Sequence, residues 1–479
     1  MQDRDLQAPA PSPAAPQGAP RGAAFLWGAA TSAFQIEGAP DAAGKGPSLW
    51  DTYCRQPGRG RGGGDWRGAC DHYRRWRDDI GLMARLNLNA YRFSVSWPRI
   101  QPAGRGKANA AGLDHYDRLI DGLLDAGIRP MVTLHHWDLP QALQDELGGW
   151  LSDDLPAIFA DYASLVYHRL ADRVEDWITI NEPWVVTVAG YMDGVHPPGV
   201  RDKAKAYRAG HNLLRAHARA AAAYRPAQRG GGRITFALNA AYSFPASEEA
   251  ADIVAAERAM LNFGGWFGDP ACFGDYPPLL RARLGELLPE FGEEDRRLLR
   301  RSMDYIALNY YTSDVVRHKA GGGPMDTEVV DDGAPQTEMG WPIRPQGLRL
   351  LLHWLSDRYG KLPTLITENG AAFDDQPDAD GFVQDDGRSA YLREHIEAAF
   401  QARAEGVDLR GYYAWSLLDN LEWAEGFTKR FGIVRCDFET QARTIKASGR
   451  WYADLIARGG PAGFSAPGAV GAGAGAGGT

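Results

Sequence analysis

One pattern recurs along this chain and is compatible with few folds: a short β-rich apolar run, a polar loop, then an amphipathic helical stretch. The runs are AAFLWGAATSAF from Ala23, NAYRFSVSW from Asn89, RPMVTLHHW from Arg129, VEDWITINEP from Val174, RITFALNA from Arg233, DYIALNYY from Asp304, LPTLITENG from Leu362 and LRGYYAWSLL from Leu409, eight in all. Between them lie segments such as GLDHYDRLIDGLLDAGI and LPAIFADYASLVYHRLADRV, whose apolar residues return at intervals of three and four, the spacing of one buried helical face. Alternating strand and helix predicts parallel strands joined by right-handed crossovers. Eight such units without a Gly-rich first turn favour one α/β domain over 23–458, a closed (β/α)8 TIM barrel, above an open doubly wound sheet.

The remaining sequence narrows the function classes. Residues 1–22 are Pro/Ala-rich with no apolar h-region, so a disordered arm is expected and not a signal peptide; the Gly/Ala-rich 459–479 is expected to be a disordered tail. A formal charge of −9 without a basic stripe argues against nucleic acid as a partner. No run approaches the roughly 18 apolar residues of a membrane span, so no membrane partner is expected. Cys54, Cys70, Cys272 and Cys436 show no Cys-x-x-Cys spacing, which fits a reducing, cytoplasmic location and neither a zinc site nor a dense disulfide framework. No cofactor is expected, and the oligomeric state is left open. RGRGGGDWRG from Arg59 reads as a mobile loop lacking the Lys-Ser/Thr ending of a phosphate cradle, and GEEDRRLLRRS as a solvated helix.

In a barrel of this kind chemistry sits where the strands end at their C-terminal edge. Those ends supply Gln35 and Glu37, Arg92 and Trp97, His135 to Asp138, Asn181 and Glu182, Asn239, Asn309 and Tyr311, Glu368 and Asn369, then Trp415. Asn369-Gly370 is also a turn signal, because both residues tolerate positive φ. Glu182 and Glu368 close the fourth and seventh strands, on roughly opposite sides of the mouth. Two facing carboxylates are the minimum apparatus for glycosidic bond cleavage: one protonates the leaving oxygen, the other attacks or activates water. Like charges resist double ionisation, and a nearby cation selects the group that stays charged. Arg92, inside an apolar strand, needs a buried partner and is expected near Glu368. His135 and His136 are adjacent strand residues facing opposite ways, so one metal cannot easily take both; His135 is expected behind the strand and His136 in the pocket. Trp97, Trp150, Trp177 and Trp266 are assigned to core or loop packing.

These residues also carry a family resemblance. FLWGAATSAFQIEGA, LHHWDLP, TINEP, NYY, ITENG and WSLLDNLEWAEGF, in this order from about Phe25 to Trp451, resemble the β-glucosidases of glycoside hydrolase family 1. The resemblance implies that Glu182 is the acid/base and Glu368 the nucleophile of a double-displacement, configuration-retaining hydrolysis of a small sugar substrate. It needs carboxyl groups about 5 to 5.5 Å apart. It also implies that Gln35, His136, Asn181, Asn309, Tyr311, Glu422 and Trp423 bind sugar hydroxyls, with Gln35 and Glu422 gripping neighbouring ones, and that Trp415 stacks under the ring. Trp137 and Phe431 would line the pocket, and Trp184, His196, Asn239 and Trp341 the entrance or leaving-group side. Glu422 favours a neutral hexoside, since a carboxylate there would repel a 6-phosphate; glucose, galactose and fucose stay open, as does transglycosylation. An inactive sugar-binding barrel would be marked by loss of a carboxylate or of pocket residues, and both glutamates and the full set are present.

Overall fold

The computed structural model describes residues 25–56 and 66–462; the arm at 1–22, positions 463–479 of the tail and 57–65 of the glycine-rich loop lie outside the described residues. Eight parallel strands close a barrel: β1 Leu26–Ala30, β2 Ala90–Ser94, β3 Arg129–His135, β4 Asp176–Asn181, β5 Arg233–Asn239, β6 Ile306–Asn309, β7 Thr364–Asn369 and β8 Leu409–Trp415. Each pairs with the next in sequence and β8 returns to β1. Every one of the eight apolar runs contains one of these strands.

The barrel interior is packed, not hollow. Small Ala30, Ala90, Ala237 and Ala307 interleave with Met131, Ile178, Leu365, Tyr305 and Tyr413, as the limited cross-section of an eight-stranded barrel requires. Gly28 on β1 belongs to this packing, because a Cβ there would lie 2.4 Å from the Tyr413 ring. A second, larger apolar layer joins the outer strand faces to the helices. Helices Ala110–Asp125 and Leu155–Leu170 form where the periodicity places them and bury Tyr116, Leu119 and Leu123, and Phe159, Tyr162 and Val166. Trp97, Trp150, Trp177 and Trp266 are fully buried in this layer.

Three features depart from the sequence expectation. Ser243–Pro245, Asp314–His318 and Thr327–Val330 form a small sheet, and Val434–Cys436 with Arg443–Ile445 an antiparallel hairpin. Their strands are three to five residues long, too short for a period to emerge from sequence. Within GEEDRRLLRRS, the helix Glu293–Leu299 is not simply solvated: Asp295 and Leu299 turn inward, and Asp295 meets Arg215 and Arg219 at 3.1 and 2.6 Å. Finally, Asn369-Gly370 is not a left-handed turn, since neither residue has positive φ. Gly370 is demanded by close approach, as a Cβ would lie 1.8 Å from the Trp415 carbonyl oxygen. Asn369 ends β7 and is held at 2.7 Å by its donation to the Tyr310 carbonyl and at 2.6 Å by the Tyr412 hydroxyl.

Candidate active site

Both carboxylates of interest sit where strand geometry is broken. The pairing of β7 with β6 slips between Ile366 and Glu368: Ile366 faces Leu308, Glu368 faces Asn309, and Thr367 is extra. The pairing of β4 with β5 slips just before Asn181. Such bulges re-aim side chains that strict alternation would send elsewhere. Glu182 follows β4 in the left-handed region, at φ 44 and ψ 67, as the first step into helix Pro183–Thr187. Trp137 and Trp423 share this unusual backbone, with φ of 75 and 45. Non-glycine residues held there are strained, and here three of them bear site side chains.

Arg92 on β2 organises the centre. Its Nη1 donates to Glu368 Oε1 at 2.6 Å, to the Thr367 carbonyl at 3.1 Å and to Asn309 Oδ1 at 3.2 Å; its Nη2 donates to Asn181 Oδ1 at 2.5 Å. Nε reaches Thr133 Oγ1 at 3.3 Å. The guanidinium is a pure donor, so it fixes which end of each amide faces it. Asn309 Nδ2 is thereby turned towards Glu182 Oε1, 2.7 Å away, and Asn181 Nδ2 towards His136 Nε2 at 3.0 Å. His136 Nε2 is then an acceptor and its proton sits on Nδ1; burial, with the Arg92 charge, pushes this imidazole well below its ordinary value, so it is neutral. The second oxygen of Glu368 accepts from the Tyr311 hydroxyl at 2.5 Å.

The two glutamates are therefore buried alike but solvated differently by the protein. Glu182 is pushed up to about 8, by burial first and then by the charge of Glu368, with Asn309 and Arg92 opposing. Burial also raises Glu368, but Arg92 and the donors Arg92, Tyr311 and Asn309 pull it back. Both groups lie above the ordinary carboxylate value, but the cation and hydroxyl on Glu368 favour its ionised form, while the Glu368 charge favours the protonated form of Glu182.

Around this pair the aromatic residues form two walls. On one side Trp415 and Trp423 stack on His136 at 5.9 and 5.8 Å, and Trp137 touches Trp423 at 4.4 Å and His196 at 5.7 Å. On the other, Trp341 and Phe431 pack against Tyr311 at 5.4 and 6.2 Å. Trp184 packs edge-on to Phe263 at 4.6 Å. Asn239 ends β5 opposite Asn309. His135 packs behind the strand against Trp150 and Trp97.

Gln35 is more committed than its sequence position implies. Its Nε2 donates to the Leu421 carbonyl at 2.8 Å and to Asn420 Oδ1 at 3.1 Å, and its Oε1 accepts from Ser32 at 2.5 Å. It thereby ties the start of the barrel to the loop carrying Glu422. Glu422 Oε2, His136 Nδ1 and Asn239 Oδ1 are buried polar atoms without a hydrogen-bond partner among the described residues, the kind of group a hydroxylated ligand satisfies. Burial and the charge of Glu368 push Glu422 up to about 8. Among the described residues no group of three His, Cys, Asp or Glu side chains is arranged to hold a metal ion. No helix among them is long and apolar enough to cross a membrane.

Four residues of this network, Ser32, Thr133, Thr367 and Asn420, do not stand out in the sequence. Thr367 is the instructive case: strict alternation would point it away from Glu368, and nothing in TLITEN announces the bulge that brings both to Asn309.

The sequence matches the family described as Glycosyl hydrolase family 1 over residues 20–461. It is 47% identical over 434 residues to Beta-glucosidase A of Thermotoga maritima, covering 90% of this chain and 96% of that protein. It is 45% identical over 434 residues to the 1,4-beta-D-glucan glucohydrolase of Thermotoga neapolitana, covering 90% and 97%. The solved Beta-glucosidase from Thermotoga maritima in complex with glucoimidazole matches the fold with a TM-score of 0.87 at 46% identity, covering 92% of this chain and 99% of that one.

Proposed function

Because the chain belongs to glycosyl hydrolase family 1, we propose that it removes terminal non-reducing β-D-glucosyl residues, from cellobiose, short cello-oligosaccharides and aryl or alkyl β-glucosides, with retention of configuration. The observation that carries the residue assignment is the unequal hydrogen bonding of the pair. Glu368 receives Arg92 at 2.6 Å and Tyr311 at 2.5 Å, whereas Glu182 receives Asn309 at 2.7 Å and sits near a full negative charge.

In the first step the ionised Glu368 attacks the anomeric carbon, the glycosidic C–O bond breaks, and Glu182 gives its proton to the departing oxygen. The product is a glucosyl ester of Glu368. Esterification removes the charge that kept Glu182 protonated, so its proton affinity falls. In the second step Glu182 takes a proton from water, whose oxygen attacks the same carbon and releases Glu368. A sugar hydroxyl in place of water gives transglycosylation. Asn181 and His136 support a grip on the sugar beside the reacting carbon, Trp415 and Trp423 a stacking floor, and Glu422 the far hydroxyls. One observation favours a second specificity on the same site: Glu422 Oε2 has no hydrogen-bond partner among the described residues. A carboxyl oxygen free on that side bonds a 4-hydroxyl in either orientation, so β-galactosides and β-fucosides are secondary substrates. Proton NMR of the first-formed sugar from an aryl β-glucoside tests the mechanism: the β-anomer supports it, and the α-anomer as first product overturns it.

A further inference from the structure

We propose that Thr367 is a positioning residue for the reaction: its hydroxyl anchors the Asn309 side chain so that the amide N–H is held on Glu182 through both chemical steps. This rests on Glu182 being the acid/base.

Thr367 and Glu368 together oppose Asn309, and Thr367, fully buried, donates from Oγ1 to Asn309 Oδ1 at 2.8 Å. Among the described residues the other donor on that oxygen is Arg92 Nη1 at 3.2 Å, and this nitrogen is shared with Glu368 at 2.6 Å and the Thr367 carbonyl at 3.1 Å. A donor divided among three acceptors, closest to a carboxylate, holds the amide oxygen weakly. The Thr367 hydroxyl is its dedicated anchor. At the other end Asn309 Nδ2 donates at 2.7 Å to Glu182 Oε1 and at 3.1 Å to Asn181 Oδ1, and it also bears on Glu368, with Glu182 its short contact. The amide thus runs from Thr367 to Glu182 as one rigid dipole, positive end on the acid/base.

Two effects follow for Glu182. An N–H aimed at a carboxylate favours its ionised form, opposing the burial that pushes Glu182 up to about 8. The same bond fixes where the carboxylate sits when it must accept a proton from water. The charged and titratable groups facing Glu182 are Glu368 from β7, Arg92 from β2, Tyr311 from beyond β6 and Glu422 from the loop after β8. None of them bears on Asn309 Oδ1 except Arg92, so loss of the Thr367 hydroxyl acts through the amide.

The test compares the parent with T367V, T367S and E182Q on a 2,4-dinitrophenyl β-glucoside and on a phenyl β-glucoside. In T367V the alkaline limb of kcat/KM for the phenyl glucoside is expected to move up by roughly one pH unit, since a donor to the ionised form is lost. With the dinitrophenyl substrate, whose departure needs little acid help, kcat is expected to fall about tenfold with KM falling in parallel, because water attack slows and the glucosyl-enzyme accumulates. T367S, which keeps the hydroxyl, restores both; T367A carries the same comparison if the valine variant does not fold. An unmoved alkaline limb in the hydroxyl-free variant, or a serine variant as impaired as the valine one, overturns the proposal. An alkaline limb that persists in E182Q instead removes Glu182 as the acid, whatever Thr367 does, so the two failures are distinct.

Discussion

Arg92 Nη1 lies 2.6 Å from Glu368 Oε1, with 1% and 3% of the two side chains exposed. A buried ion pair of this kind contributes little net stability by itself, since desolvation offsets attraction, but removing one partner strands the other. Arg92→Met is therefore expected to lower stability by about 3–5 kcal/mol. It should also nearly abolish glucosidase turnover at neutral pH, as Glu368 takes up a proton and Asn181 and Asn309 lose their common donor. Arg92→Lys should recover much of the stability but little of the activity, because a point charge cannot reach Glu368 and Asn181 together. Urea unfolding beside aryl glucoside assays gives both readings.

The pH profile follows from Glu182. The first step needs its proton, and that proton is lost as pH rises through about 8, so kcat/KM should fall along an alkaline limb near that value. E182Q should erase the limb while keeping measurable turnover of an activated aryl glucoside. In E368Q the neighbouring charge is gone, so Glu182 should titrate lower, as in the glycosyl-enzyme; carbon NMR of labelled glutamate reads this directly. A Glu182 resonance titrating no lower in E368Q than in the parent would contradict the coupling.

Glu422 offers the sugar a buried carboxyl oxygen that no group among the described residues uses. Glu422→Ala should weaken kcat/KM for glucosides by about 1.5–3 kcal/mol, on the order of 10- to 100-fold. A 4-deoxyglucoside should suffer much less from the substitution than the parent sugar does. Equal losses on the two substrates would mean that Glu422 does not hold the 4-hydroxyl.

Behind that loop Lys446 is fully buried and donates to Asp419 Oδ1 at 2.7 Å and to Asp375. Asp419 precedes Asn420, the residue that accepts from Gln35. Lys446→Met should cost about 1–3 kcal/mol in urea unfolding, because Asp375 and Asp419 each lose one of two cations and retain Arg388 and Arg430. It should also raise KM, since the segment carrying Glu422 loses its support. An unchanged unfolding midpoint would contradict this.

The barrel was legible because its signals are long and repeated: eight apolar runs, each bounded by turn residues and followed by a helical period. The small sheet at Ser243–Pro245, Asp314–His318 and Thr327–Val330 was not, because strands so short carry no period. At the site, sequence reading reaches residue types at strand ends, which is why Glu182, Glu368, Arg92, Asn181, Asn309 and Tyr311 can be named and are found in one hydrogen-bonded cluster. What it misses depends on register. Thr367 joins the network through a bulge, Gly370 serves close packing against Trp415 instead of a turn, and Gln35 spends its amide on Asn420 and Leu421. None of these is a property of a residue type; each arises from where the backbone goes.

On the proposed mechanism Glu368 carries the sugar between the two steps. Incubation with 2,4-dinitrophenyl 2-deoxy-2-fluoro-β-glucoside, followed by intact mass and peptide mapping, tests it most directly, because the fluorine slows release of the ester more than its formation. One fluoroglucosyl group on the peptide containing Thr367, Glu368 and Asn369, attached at Glu368, is the predicted result. A label on Glu182 or elsewhere, or dinitrophenol release with no label, would contradict it.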